Sequence, residues 1–440
     1  MKVFKNRFLS NTSWMVGGKL FQMALSLLIG VLTARYLGVS NFGLLNYSAS
    51  IVAFFAPICT LGLNVIIVNE LIKNKDKQGT ILGSAMFMRL ILGFISMGMI
   101  LIIIYTLNPN DNLLLNIAFL QSISLLFNAC DFINYWYQSK LQSKFSVIIQ
   151  SIGYIIMSVY RIVILVLGKG IVWFAFATTL DVIVISILLL IVYHINNGPK
   201  LRFSLKTSTD LLKKSYHFIV SGIMVTAYGQ MDKVMIGMFM DSTAVGLYSV
   251  AIIISGLWGF IPTAVIESAR PIIIEHKKNN QNLYILRLKQ LYAVVFWLGV
   301  VFSLFITIFS EWIILLLYGS QYVGAKSALV ISAWYTSFGF IGSCKNIWLI
   351  CEDKSKYEQI FTFCGAVSNL ILNLLFIPLW GISGAAIATL FTQIFTNFIM
   401  PLFFKETKIN SKYMLKAFLL KDIFDKNSLI AFCQKILSRK

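Results

Sequence analysis

At 440 residues, 58% of them hydrophobic and only 12% charged, the chain carries about half the charge that a water-facing fold needs. A mean hydropathy of +0.80 and many apolar runs of near-spanning length exclude a soluble core as their explanation, so the main solvent is lipid. The net charge of +20 (37 Lys and Arg against 17 Asp and Glu) comes with no compact basic domain, which excludes nucleic-acid binding.

Six apolar spans are expected near 13–36, 43–68, 81–106, 112–135, 146–167 and 170–193. A polar, basic stretch follows at 194–215. Six further spans lie near 216–239, 244–272, 291–309, 326–350, 358–378 and 381–404. At 1.5 Å per residue each is long enough to cross a hydrocarbon core of about 30 Å. Lipid offers no partner to a free backbone amide, so the spans must be helices or a closed barrel. A barrel would show short alternating segments, and the sequence has none. The remaining segment, 405–440, mixes lysines with apolar residues such as Met414, Leu415 and Phe418. It reads as an amphipathic helix or two on the anionic inner leaflet, or as a solvated tail. The expected fold is therefore an all-α integral membrane protein of about twelve transmembrane helices. Its parts are an N-terminal six-helix bundle (1–193), a cytosolic basic linker (194–215), a C-terminal six-helix bundle (216–404) and a basic cytosolic tail (405–440).

Orientation follows from the basic residues. With the N-terminus in the cytosol, 28 of the 37 Lys and Arg fall in cytosolic segments, seven lie inside spans, and the opposite loops hold only Lys169 and Lys326. Both termini are thus expected in the cytosol. The basic N-terminus (Lys2, Lys5, Arg7) leads into a run that spans, without the small-residue cleavage site of a signal peptide. The six cysteines form no CxxC pair and read as small hydrophobes. The three histidines (His194, His217, His276) lack metal-ligand spacing, and no phosphate loop, HExxH or nucleophile elbow occurs. No cofactor and no catalytic residue are expected.

The halves repeat. Shifted by 203 residues, Phe42-Gly43-Leu44-Leu45 falls on Val245-Gly246-Leu247-Tyr248. Shifted by 212, Asn134, Trp136, Ser143, Lys144 and Gly153 meet Asn346, Trp348, Ser355, Lys356 and Gly365. Shifted by 211, Gly170-Ile171, Ala175, Ala177 and Thr178 meet Gly381-Ile382, Ala386, Ala388 and Thr389. Six helices per repeat return the chain to the side it entered from, so the repeats are parallel, an arrangement common in transporters. Pro57 and Pro262 fall at nearly equivalent places in the halves, and kinks are expected at both.

Several stretches are family-like: Asn11-Thr-Ser-Trp followed by Leu32-Thr-Ala-Arg-Tyr-Leu-Gly-Val-Ser-Asn-Phe-Gly-Leu44, then Asp232-Lys233-Val-Met-Ile-Gly, Val245-Gly-Leu-Tyr-Ser-Val-Ala, and Gly381-Ile-Ser-Gly-Ala-Ala-Ile-Ala-Thr. In these the chain resembles, over nearly its whole length, the polysaccharide repeat-unit flippases of the O-antigen or Wzx type. Their superfamily also holds multidrug and toxin extruders and peptidoglycan-precursor flippases. The resemblance implies a V-shaped pair of six-helix bundles around a hydrophilic central cavity. It implies an undecaprenyl-pyrophosphate oligosaccharide as substrate, carried from the cytosolic to the periplasmic leaflet of a bacterial inner membrane for O-antigen or capsule assembly. Polysaccharide polymerase or chain-length machinery would be its partners.

A polar lumen with cations would shelter pyrophosphate and sugars, whose unpaired polar groups each cost several kcal/mol in hydrocarbon. The basic residues inside spans are Lys19, Arg35, Arg89, Arg161, Lys233, Arg270 and Lys345. Each costs at least about 2.5–3.5 kcal/mol at the bilayer centre and so faces protein or water, or snorkels to an interface. In the resembling family the first, second, seventh and eighth helices line the cavity, which makes Lys19, Lys233 and Arg270 the expected phosphate ligands. Arg35 sits in the Arg-Tyr-Leu-Gly turn, with a turn-holding or gating role. Asp232 and Glu267 either bind a coupling H⁺ or Na⁺ or balance neighbouring cations; Glu267 and Arg270, three apart, can pair on one face. Arg161 is expected in a structural ion pair with Asp131 or Asp181.

Three rival readings handle the same facts. A polysaccharide polymerase or ligase would need catalytic groups on a sizeable outer loop, and the longest one expected, near 310–326, holds one acid, Glu311. A drug or cation antiporter of the same fold would need an acid-dominated lumen, yet bases outnumber acids inside the spans. A peptidoglycan-precursor flippase differs only in substrate, and typically has two helices more than are found here.

Overall fold

In the computed structural model residues 2–420 are described, apart from the side chains of 2–16, 19, 20 and 65. Among the described residues all regular structure is helical. In chain order the helices are α1 (Lys2–Thr60), α2 (Asn64–Lys73), α3 (Gln78–Leu107), α4 (Asn112–Ser122), α5 (Ser124–Phe127), α6 (Phe132–Ser139), α7 (Ser143–Val166), α8 (Ile171–Ile195) and α9 (Leu205–Phe239). They are followed by α10 (Ser242–Gly256), α11 (Phe260–Asn279), α12 (Gln281–Leu317), α13 (Lys326–Cys351), α14 (Lys356–Ile394), α15 (Met400–Phe403) and α16 (Lys408–Phe418).

Among the described residues nine helical stretches are long and apolar enough to cross a membrane. Two of them are double-length and break at a glycine: Gly38 (φ 75°) divides α1, and Gly381 (φ 57°) divides α14. Only glycine takes such backbone values without a Cβ penalty. The less apolar α9, which falls short of that measure, covers the remaining expected span, so the twelve expected spans are all helical. Large apolar side chains on these helices, such as Ile102, Ile308 and Leu379, are 64%, 72% and 69% exposed, as a lipid-facing surface requires. Short side chains start the helices after the loops. Asp111 accepts from the Leu114 amide at 2.9 Å, and Asp241 from the Ala244 amide at 2.7 Å.

By its internal contacts the chain forms two compact units, 1–234 and 235–440. The boundary falls within α9, so most of the seventh span, expected at the head of the second bundle, packs with the first unit. Its core joins α2, α3 and α6 through Leu63, Ile67, Leu82, Phe132 and Trp136. The core of the second joins α12 and α13 through Leu288, Leu291, Tyr292, Cys344 and Trp348.

Three expectations need correction. The basic linker is shorter than 194–215: α8 runs to Ile195 and α9 begins at Leu205, because the polar residues at 205–215 form the amphipathic first turns of α9. The linker is also held, since the Arg202 amide donates to the Gly79 carbonyl at 3.1 Å and the Ser84 hydroxyl bonds Ser204. At Pro57, where a kink is expected, the backbone keeps helical angles, and α1 continues three residues past that proline before breaking at Leu61 and Gly62 (φ 55° and 58°). At Pro262 the expectation holds in kind: a 3₁₀ turn, Leu257–Gly259, interrupts the span just before it. The tail helix α16 docks on protein: Asn410, Ser411, Met414 and Ala417 are buried, and Asn410 accepts from the Tyr292 hydroxyl at 2.8 Å. Its lysines, Lys408, Lys412 and Lys416, are exposed. The rest of the tail, 421–440, lies outside the described residues.

Candidate functional site

The intramembrane charges define the candidate site, and the fold sorts them by what each one meets. In unit 1, Arg161 on α7 and Asp181 on α8 form an ion pair at 3.3 Å, both side chains more than four-fifths buried. The sequence left Arg161 a choice of two acids, and the neighbouring helix α8 provides one. Asp131 is therefore not its partner. Asp131 ends a 3₁₀ turn, Asn128–Asp131, where it accepts from the Asn134 amide nitrogen at 3.2 Å.

Lys233 lies on α9, half-buried, with the Asp232 carboxylate as its nearby opposite charge. Its neighbour Asp232 is buried. One helical residue apart, the two side chains point about 100° from one another, which keeps them from closing on each other. Lys19 lies on α1, its side chain outside the described residues. Arg35 is exposed, three residues before the break at Gly38, in keeping with a place at the turn. Beside it, the Tyr36 hydroxyl donates to the Lys169 carbonyl at 3.2 Å and ties that turn to the α7–α8 connection.

In unit 2, Arg270 on α11 pairs with Glu267 one turn back at 2.7 Å, and both stay substantially exposed. This is the same-face pair that the spacing allows. An exposed pair of this kind is easily opened by an incoming anion, since it contributes only about 0–1 kcal/mol.

Two features escaped the sequence. Lys345 on α13 is 1% exposed and fully engaged: Glu358 at 3.3 Å, Asn397 Oδ1 at 3.1 Å, the Thr396 carbonyl at 3.4 Å and the Phe361 ring at 4.7 Å. Thr396 and Asn397 lie in a π-helical turn, Phe395–Ile399, whose widened ladder presents a carbonyl to the ammonium. No local signal announces that convergence, because its members are up to 52 residues apart. The second is a cavity of about 360 Å³ within unit 1, between the end of α1 and α9, lined by Pro57, Thr60, Gly62, Asn64, Phe218 and Gly222 among others. Its walls are mostly small and apolar, with Thr60, Asn64 and Thr226 as the three polar side chains. No group of three metal-ligating side chains is found among the described residues.

A multi-pass helical bundle with charges held inside its spans is the build of an integral membrane protein. Residues 8–266 match the family described as polysaccharide biosynthesis protein, and the chain belongs to that family. Among curated proteins, it is 27% identical over 187 residues to the probable low-salt glycan biosynthesis flippase Agl15 of Haloferax volcanii, covering 42% of this chain and 40% of that protein. It is 28% identical over 178 residues to the probable flippase AglR of the same organism, covering 38% and 36%. The matches thus span about two fifths of these relatives' length. The fold is shared with the lipid II flippase MurJ in an inward closed conformation: TM-score 0.68, 17% identity, 96% of this chain and 92% of that chain. It is shared equally with an inward-facing multidrug resistance MATE family transporter of the MOP superfamily: TM-score 0.67, 15% identity, 90% and 96%.

Proposed function

We propose that the protein is a flippase that carries lipid-linked oligosaccharide repeat units across the bilayer by alternating access. The observation that carries the reading is the polysaccharide biosynthesis family match, joined to half-buried cations inside membrane-crossing helices. Relatives named as probable glycan flippases support it. In finer detail, the substrate is an undecaprenyl-pyrophosphate oligosaccharide destined for O-antigen or capsule, moved from the cytosolic to the outer leaflet of the bacterial cytoplasmic membrane. Both termini lie in the cytosol, with a surface-polysaccharide polymerase as the downstream partner.

Lys19, Lys233 and Arg270 are the proposed pyrophosphate ligands, and Arg35 acts at the outer turn. Of these, Lys233 has the strongest support, because a half-buried ammonium without a hydrogen-bonded carboxylate among the described residues is a group that gains from an arriving phosphate. Asp232 and Glu267 balance these cations or take part in coupling. An antiporter of cationic drugs would want an excess of carboxylates in these places, whereas Asp232 is balanced by the adjacent Lys233.

The test is genetic. Deleting the gene should abolish surface polysaccharide while lipid-linked repeat units accumulate on the cytosolic leaflet. Normal surface polysaccharide in the deletion strain contradicts the assignment.

A further inference from the structure

We propose that the cavity between the α1–α2 break and α9 is a sugar-binding subsite, which seats one pyranose ring of the cargo beside its pyrophosphate. The inference deepens the transport reading and rests on it for the nature of the cargo.

The helix break makes the cavity. Leu61 and Gly62 both take left-handed backbone values (φ 55° and 58°), so α1 ends at Thr60 and α2 starts at Asn64. Such a pair persists only where its surroundings hold it. Two close approaches to α9 do so. A Cβ on Gly62 would stand 2.6 Å from the Phe218 Cβ, and one on Gly222 would stand 3.1 Å from the Pro57 Cβ. Beside these contacts lies a space of about 360 Å³, with Thr60 and Asn64 on one wall and Phe218 and Thr226 of α9 on the other. That is the small end of the range for ligand sites, about 300–1,000 Å³, and gives room for a single ring.

The walls suit a neutral ligand with a polar rim and an apolar face. None of the described residues lining the cavity is charged. A cation stands behind the wall instead. Arg89 on α3 is 1% exposed, its Nη2 donates to the Thr60 carbonyl at 3.3 Å and to Asn64 Oδ1 at 3.1 Å, and the Tyr135 ring lies 5.4 Å from the guanidinium. Its part is to position Asn64: with Oδ1 held, the amide nitrogen is the end left to donate to a ligand. The Thr60 hydroxyl donates to the Pro57 carbonyl at 3.2 Å, so it meets a ligand as an acceptor. Thr226 adds a hydroxyl from α9. Phe218 is 48% exposed and offers its ring to C–H groups. A pyranose divides in the same way, with hydroxyls round its rim and C–H groups on its faces. A phosphate would want a charged partner in the wall, and a lipid tail would leave three polar side chains unmatched.

The place of the cavity on α9 fits a sugar joined to a pyrophosphate. Thr226 and Lys233 are seven residues apart on this unbroken helix, which sets them about 10.5 Å and 20° apart on one face. Gly229 lies between them, and a Cβ there would meet nothing within 4 Å, so the way along the helix is open. A pyrophosphate drawn to Lys233 thus holds its attached sugar within reach of Thr226.

The test labels the cavity. The probe is a ten-carbon prenyl pyrophosphate bearing one N-acylhexosamine whose acyl group carries a diazirine. It is photolysed with the full-length protein in nanodiscs, and adducts are mapped by mass spectrometry. Adducts should fall within residues 56–66 and 218–230. Thr226→Leu, which fills the cavity, should lower their yield several-fold. Should that variant fail to fold, Thr226→Val decides, since it removes the hydroxyl at nearly constant shape and should also lower the yield. An unlabelled copy of the probe should compete about tenfold better than the same prenyl pyrophosphate without its sugar. No adducts or adducts elsewhere in the chain, a yield that the variants leave unchanged, or equal competition by the sugarless compound overturns the proposal. The transport reading is decided separately by the deletion strain. An unlabelled cavity leaves a flippase without this subsite, whereas a labelled cavity with normal surface polysaccharide leaves a sugar-binding protein that flips nothing.

Discussion

Replacing Lys345 by methionine is the sharpest probe of how unit 2 holds its buried charge. Methionine keeps most of the apolar stem and opens little cavity, so the loss is electrostatic. It removes the ammonium from Glu358, from Asn397 Oδ1 and from the Thr396 carbonyl, all within 3.4 Å. Removing one partner of a buried ion pair costs about 3–5 kcal/mol. Glu358 is 33% exposed and recovers part of its hydration, which brings the expected loss to about 2–3 kcal/mol. For a unit of this size each kcal/mol moves the melting midpoint by about 2–4 °C, so the shift should be roughly 5–10 °C. Glu358→Gln alone should cost a similar amount by stranding the lysine. The double variant Lys345→Met/Glu358→Gln should recover most of the loss, since a neutral packed pair is close to isoenergetic with a buried ionic one. Scanning fluorimetry of the four proteins in one detergent measures this. A single variant that melts with the wild type, or a double variant no better than the singles, refutes the reasoning.

Other outcomes follow from the same coordinates. Gly79→Ala would put a Cβ 2.2 Å from the Lys200 carbonyl, so the 196–204 linker should lift off α3 and trypsin should cut at Lys200 or Arg202 several-fold faster. An unchanged cleavage rate counts against a docked linker. Lys233→Ala should abolish polysaccharide export at normal membrane abundance, with Lys233→Arg retaining much of it. Full export by the alanine variant removes Lys233 from the site.

Much of this fold is legible because lipid makes the helix compulsory and hydropathy marks its length. The internal repeat is legible for the same reason, at the positions where packing tolerates little change. Trp136 and Trp348, one offset apart, are 1% and 2% exposed, and each lies under a lysine, Lys140 at 3.7 Å and Lys354 at 5.1 Å. Gly170 and Gly381, another matched pair, both stand where a helix begins or resumes. What stayed hidden depends on contacts remote in sequence. The choice of Asp181 over Asp131 by Arg161 is set by which helix packs on α7, and the π-helical seat of Lys345 by where α14 ends. The position of the α1–α2 break is set by two left-handed residues after Pro57, whereas the proline itself lies inside the helix. The extension of α9 back to Leu205 was masked by its polar residues, which look like a loop until their helical face is seen.

The central claim is that this protein moves a phosphorylated glycolipid from one leaflet to the other. The direct measurement uses purified protein in vesicles carrying a fluorescent, short-chain polyprenyl-pyrophosphate oligosaccharide, with a membrane-impermeant quencher added outside. Protein-containing vesicles should expose nearly all of the label over time, and protein-free vesicles only the outer half. Equal, half-exposed fractions in both would contradict the account.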